Sequence, residues 1–164
     1  MGCNQCGECC KIASSDEYVL LCFEDVLRLS TFFNKSVYEY LSQNTKTDGT
    51  YVYLSCRYQN ENKCSIYAVR PYQCMSFPYW AEILDHEFNE KDKKWYLNNC
   101  GCFQTFSPQI SDKTQEKLKN LEYFKYSVPI FEILLDMQVI TAEELKKYIH
   151  ERSILSPMGI DYYK

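Results

Sequence analysis

Glycine and proline are scarce, five of each in 164 residues, which argues against a turn-rich all-β protein and against a disordered chain. Positive charge is also in short supply. With 18 Lys and Arg against 22 Asp and Glu, the net charge is −4 and the pI about 5.3, so the basic face that nucleic acid demands is missing. The longest apolar stretch, Val128 to Ile140, is interrupted by Glu132, Asp136 and Gln138 and is no membrane span. The opening MGCNQCGECC lacks the apolar segment of a secretory signal, and Cys6 stands where myristoylation requires Ser or Thr. Enzyme signatures are missing too: there is no C-x3-C-x2-C spacing, no glycine-rich nucleotide loop and no H-E-x-x-H. These absences predict a cytoplasmic protein with neither nucleic acid nor membrane as partner.

Cysteine, by contrast, is abundant. Ten thiols in a reducing compartment, where stable disulfides are rare, need another explanation, and metal is the first candidate. Cys3, Cys6, Cys9 and Cys10 form one knot, Cys56, Cys64 and Cys74 a second group, Cys100 and Cys102 a third, and Cys22 stands alone. No cysteine follows Cys102, so the chain divides into a cysteine-cluster region, 1–106, and a helical tail, 107–164, packed on it as one domain.

The expected fold class is α+β, predominantly α: a small metal-stabilised cysteine-rich core, a short β-hairpin and a C-terminal helical tail. Apolar spacing from Glu24 to Phe33 and the Ser36/Glu39 capping box predict a helical hairpin. Thr50 to Leu54 is β-rich and is expected to pair with Cys64 to Tyr67 through a turn at Gln59 to Lys63. Pro71 to Ser76 and Tyr79 to His86 read as short helical turns. The tail reads as three helices, Asp112–Tyr126, Pro129–Gln138 and Thr141–Glu151, the last opened by a Thr141/Glu144 capping box.

Cysteines two residues apart, as Cys3, Cys6 and Cys9 are, let one loop wrap three sides of a metal or cluster, as in bacterial ferredoxins, where a remote cysteine completes the set. Gly7 suits such a wrap because it takes positive φ cheaply. Cys10 is different. Adjacent side chains diverge, so Cys9 and Cys10 do not easily serve one ion, and Cys10 either faces a second centre or is a small buried hydrophobe.

The combination of CxxCGxCC with C-x-I-Y-x-x-R-P-x-x-C-x-x-F-P, from Cys3 to about Cys102, resembles the YkgJ-like CxxCxxCC cysteine-cluster family of zinc- or iron-chelating domains. The resemblance implies eight thiol ligands, Cys3, Cys6, Cys9, Cys10, Cys56, Cys64, Cys74 and Cys100, enough for two four-thiolate centres. It leaves Cys102 open and Cys22 as core. The same domain occurs fused in flagellin lysine N-methylases, where the resemblance implies an iron–sulfur cluster. An all-thiolate set with no second C-x2-C knuckle and no histidine at ligand spacing favours an iron–sulfur cluster, 4Fe-4S first, over zinc. Arg70, fixed by Pro71, is the best placed of Lys11, Arg57, Lys63 and Arg70 to offset thiolate charge or touch a cofactor.

The leading expectation is a metal-binding protein in metal handling or redox sensing, with metal ions as partners and no catalytic residues. The alternatives are a metal-dependent protein-modifying enzyme and a structural zinc module that binds a protein through the helical tail. The chain's shortness counts against a complete methyltransferase.

Overall fold

The computed structural model describes residues 7, 10, 19–61, 63–84, 90–101 and 111–154. Cys3, Cys6, Cys9 and Cys102 lie outside these residues. Strand β1 (Val19–Leu21) leads into α1 (Phe23–Phe32) and α2 (Val37–Asn44). Strands β2 (Thr45–Thr47), β3 (Val52–Leu54), β4 (Gln59–Asn60) and β5 (Lys63–Cys64) follow. After a 3-10 turn at Tyr67–Val69 come α3 (Tyr72–Ser76), α4 (Ala81–Leu84) and α5 (Glu90–Asn99). The tail forms α6 (Asp112–Ser127), α7 (Ile130–Asp136) and α8 (Ala142–Arg152). The protein is thus α+β and predominantly helical, with small antiparallel sheets.

Both expected capping boxes form. Ser36 accepts from the Glu39 N–H at 3.2 Å while Glu39 accepts from the Ser36 N–H at 2.9 Å, and Thr141 and Glu144 repeat the exchange at 3.2 and 2.8 Å. Sequence and structure agree on the helical hairpin α1–α2 and on the three tail helices within a residue or two. They part over the strands. β3 does not pair with the Cys64 segment; it lies between β1 and β2, with Val19 and Thr45 both opposite Leu54 and Leu21 and Thr47 both opposite Val52. That register puts the buried residues of all three strands on one face, against the helices. β5 pairs instead with its neighbour β4 across a two-residue connection in which Glu61 has φ 47°, the positive value such tight hairpins need. The expectation overlooked β1, β2 and α5, whose sequence, EKDKKWYLNN, has little apolar periodicity to reveal it.

One core joins both halves of the chain. Val26, Leu29, Tyr40, Leu41, Val52 and Leu54 pack with Ile130, Leu134, Leu145 and Tyr148 of the tail. The sheet's β2 edge is closed by the tail as well. Tyr148 Oη shares a hydrogen bond with Thr45 Oγ1 at 2.7 Å, Arg152 Nε donates to the Thr45 carbonyl at 2.8 Å, and the Ile154 N–H donates to the Thr47 carbonyl at 2.8 Å. α6 leaves Tyr123 and Phe124 exposed, at 77% and 61%. No helix among the described residues is long and apolar enough to cross a membrane.

Candidate metal centre

Three separate stretches of chain bring thiols together. Cys56 sits in the loop after β3, Cys64 ends β5, and Cys74 lies in α3. Cys10 comes from the N-terminal knot, where its N–H donates to the Gly7 carbonyl at 3.1 Å; Gly7 has φ 75°, the positive value the tight wrap predicted. The same Gly7 carbonyl accepts from Gln59 Nε2 at 3.0 Å, so the β4–β5 hairpin that carries Cys64 also holds Gly7.

Cys56, Cys64 and Cys74 are thiols, none of them in a disulfide. Burial raises the pKa of all three, and their mutual influence raises them further: Cys56 feels Cys10, Cys64 feels Cys10 and Cys56, and Cys74 feels Cys56, Cys10, Cys64 and Asp25. The four therefore lie within electrostatic reach of one another. Among the described residues, no three or more Cys, His, Asp or Glu side chains stand as a group ready to hold an ion. Cys100 is fully buried where α5 ends, one turn after Tyr96, whose ring packs on Phe77 at 5.2 Å.

α3 is held by several anchors, which is why Cys74 points where it does. The Tyr72 N–H donates to Asp25 at 3.0 Å, Gln73 Oε1 accepts from the Leu20 N–H at 2.7 Å, and the Gln73 carbonyl accepts from Trp80 Nε1 at 2.8 Å. Asp25, an acid in the first turn of α1, is a buried hub. Its carboxylate also accepts from the Cys22 N–H at 3.1 Å, the Cys22 thiol at 3.2 Å and Arg28 Nη2 at 2.5 Å. Burial pushes the Asp25 carboxyl up, and the bonds from Tyr72, Cys22 and Arg28 pull it part of the way back. Cys22 is thus the buried N-cap of α1, with its thiol committed to Asp25. The signal for the hub was the spacing of Cys22, Asp25 and Arg28 on one helical turn; its long-range partner, Tyr72, left no mark in the sequence.

Arg70 follows the 3-10 turn. Its guanidinium lies 3.8 Å from the Tyr67 ring centroid, donates to the Tyr67 carbonyl at 2.7 Å and keeps a buried Nε with no hydrogen-bond partner. Its charge acts on the Cys64 thiol and lowers the pKa that burial raises. Arg28 Nη2 fixes the Arg70 carbonyl at 3.0 Å, tying this corner to the Asp25 hub. Tyr67 serves as the platform for Arg70, and Phe77 is buried. His150 lies in the last turn of α8, where a cation favours the negative helix pole.

The donor set therefore suits a thiophilic metal. Cys10, Cys56, Cys64 and Cys74 lie within electrostatic reach of one another, burial disfavours the uncompensated thiolates of Cys56, Cys64 and Cys74, and the Arg70 charge acts on Cys64. The fit is equally good for zinc and for an iron–sulfur cluster.

A family whose description reads "CxxCxxCC: Putative zinc- or iron-chelating domain" matches residues 2–103. The uncharacterized protein MJ0661 of Methanocaldococcus jannaschii is 26% identical over 154 residues, covering 88% of this chain and 76% of its own length. No solved structure matches.

Proposed function

Because this chain belongs to the CxxCxxCC cysteine-cluster family, we propose that it binds metal through two sets of thiolates and works in metal handling or redox sensing. The observation that carries the reading is the mutual electrostatic reach of Cys10, Cys56, Cys64 and Cys74. On this reading Cys10 serves with the group of Cys56, Cys64 and Cys74, and Cys3, Cys6, Cys9 and Cys100 make up the other set of four. Arg70 offsets thiolate charge at Cys64. A bound iron–sulfur cluster would supply one-electron redox chemistry, whereas zinc would supply structural closure alone.

The ferredoxin-like run favours the cluster, 4Fe-4S first. Protein purified anaerobically from its native host should be brown, with visible charge-transfer absorption that bleaches in dithionite, and should contain iron and acid-labile sulfide. Colourless protein with about two zinc ions per chain and no sulfide would overturn the choice of metal and leave the ligand set standing. Protein without metal, and unable to take up Zn2+ or iron and sulfide under reducing conditions, would overturn the whole reading.

A further inference from the structure

Helix α6 is polar along most of its length, then carries Leu121, Tyr123 and Phe124 within four residues. None of its residues is fully buried, and these three are 43%, 77% and 61% exposed. Single apolar side chains on a surface need no explanation, whereas a cluster on a firmly held helix marks a contact site. The helix is held through its opposite face. Glu122 accepts from the Ala81 N–H at 2.6 Å, Lys125 bridges to Glu24, and the Tyr126 ring packs on Tyr72 at 6.2 Å. Tyr123 and Phe124 take no part in that grip.

Charge decides what fits there. Lys113, Lys117, Asn120 and Phe124 follow one another at the i, i+4, i+7, i+11 spacing of a single helical stripe, and all four are exposed. Neither lysine is in an ion pair among the described residues. The acids of the outer face, Asp112 and Glu116, lie one line over, on the row that leads to Tyr123. A second copy pairing α6 on α6 about a two-fold axis would set these lysines against the same acid-free stripe, which does not complement them. A partner that brings its own carboxylates does.

We propose that the outward face of α6 docks an acidic amphipathic segment of another protein, with its apolar side chains on Leu121, Tyr123 and Phe124 and its carboxylates toward Lys113 and Lys117. The 16 residues of α6 span about 24 Å, so the segment it holds is about four turns of helix. So small a face gives a weak, reversible complex. Docking here does not depend on what occupies the thiols.

The test places the photo-crosslinker p-benzoylphenylalanine at Tyr123 of the full-length chain, expressed in its native host and irradiated in the cell. The crosslinked protein is identified, purified and titrated against the chain by calorimetry. Binding should weaken about tenfold in Phe124→Ser and in the double variant Lys113→Glu with Lys117→Glu, and it should fall as salt rises. Changing the acids of the crosslinked segment to lysine should restore binding to the double variant and remove it from the unaltered chain. These positions are exposed, so the variants should melt with the unaltered chain, which separates lost docking from lost folding. Should a variant melt early, the charge-reversed segment titrated into the unaltered chain decides alone. A crosslink only to a second copy, to the chain's own residues 155–164 or to lipid would overturn the proposal. So would binding indifferent to both charge reversals, or no crosslink at all.

Discussion

Replacing Asp25 by Asn keeps the side chain's size while turning one acceptor oxygen of a fully buried group into a donor. Oδ1 now accepts from Arg28 and from the Tyr72 N–H, and Oδ2 from the Cys22 N–H and thiol. Whichever way the amide turns, its NH2 meets donors on that side and leaves them unpaired. Each buried group so orphaned costs about 1–3 kcal/mol, and breaking a buried charge pair about 3–5 kcal/mol. The Arg28 side chain is 35% exposed, so water makes good part of what it loses. The net loss expected is about 2–4 kcal/mol, a large fraction of the ~5–15 kcal/mol that keeps a domain folded. With a urea slope of about 2 kcal/mol per M, the midpoint should drop by about 1–2 M. The measurement is urea unfolding of the metal-loaded protein at pH 7, followed by circular dichroism. A loss below ~0.5 kcal/mol, the level of an ordinary surface change, would refute the view that Asp25 wires α1 to the helix bearing Cys74.

Cys56→Ser or Cys64→Ser should strip metal and destabilise the domain by more than the ~1 kcal/mol of a typical point change, whereas Cys22→Ser should retain the full metal content. Equal metal loss from Cys22→Ser, measured by elemental analysis, would dissolve the distinction between ligands and cap. Leu134→Ala, at a fully buried tail position in the shared core, should cost about 2–5 kcal/mol and lower the melting of the whole chain in one transition. A separate early transition would show that the tail melts by itself. Asp48 supplies the pH prediction. Burial alone would raise its carboxyl, but bonds from the Tyr51 N–H, the Tyr53 hydroxyl and the Thr50 N–H outweigh that and hold it below the ordinary 3.8. A carboxyl depressed on folding contributes stability that is present above 3.8 and lost as pH falls through its lower folded value. The stability gap between wild type and Asp48→Asn should therefore be wide at pH 6 and close below 3.8, and a gap independent of pH would refute this.

Whatever depends on neighbours a few residues apart was legible in the sequence. The capping boxes at Ser36 and Thr141, the helical periodicity of α1 and the tail, and the positive φ at Gly7 all follow from local geometry. So did the chemical class of the site, because clustered thiols without histidine partners leave few occupants other than a thiophilic metal. What the sequence could not settle were pairings between distant segments. β3 contains the same residues whether it pairs with β1, β2 or the Cys64 stretch, and only the burial of Val52 and Leu54 against helices from both ends of the chain selects its neighbours. α5 carries little apolar periodicity, so its helix had no mark to read. Asp25 looks like an ordinary helix-start acid until the Tyr72 N–H, 47 positions away, closes on it. The grouping of Cys10 with Cys56, Cys64 and Cys74 belongs to the same class. Composition and spacing determined that the chain would be rich in clustered thiols; which of them come within electrostatic reach of one another was decided by tertiary packing, since proximity across 64 positions of chain is a property of the folded core and of no local run of residues.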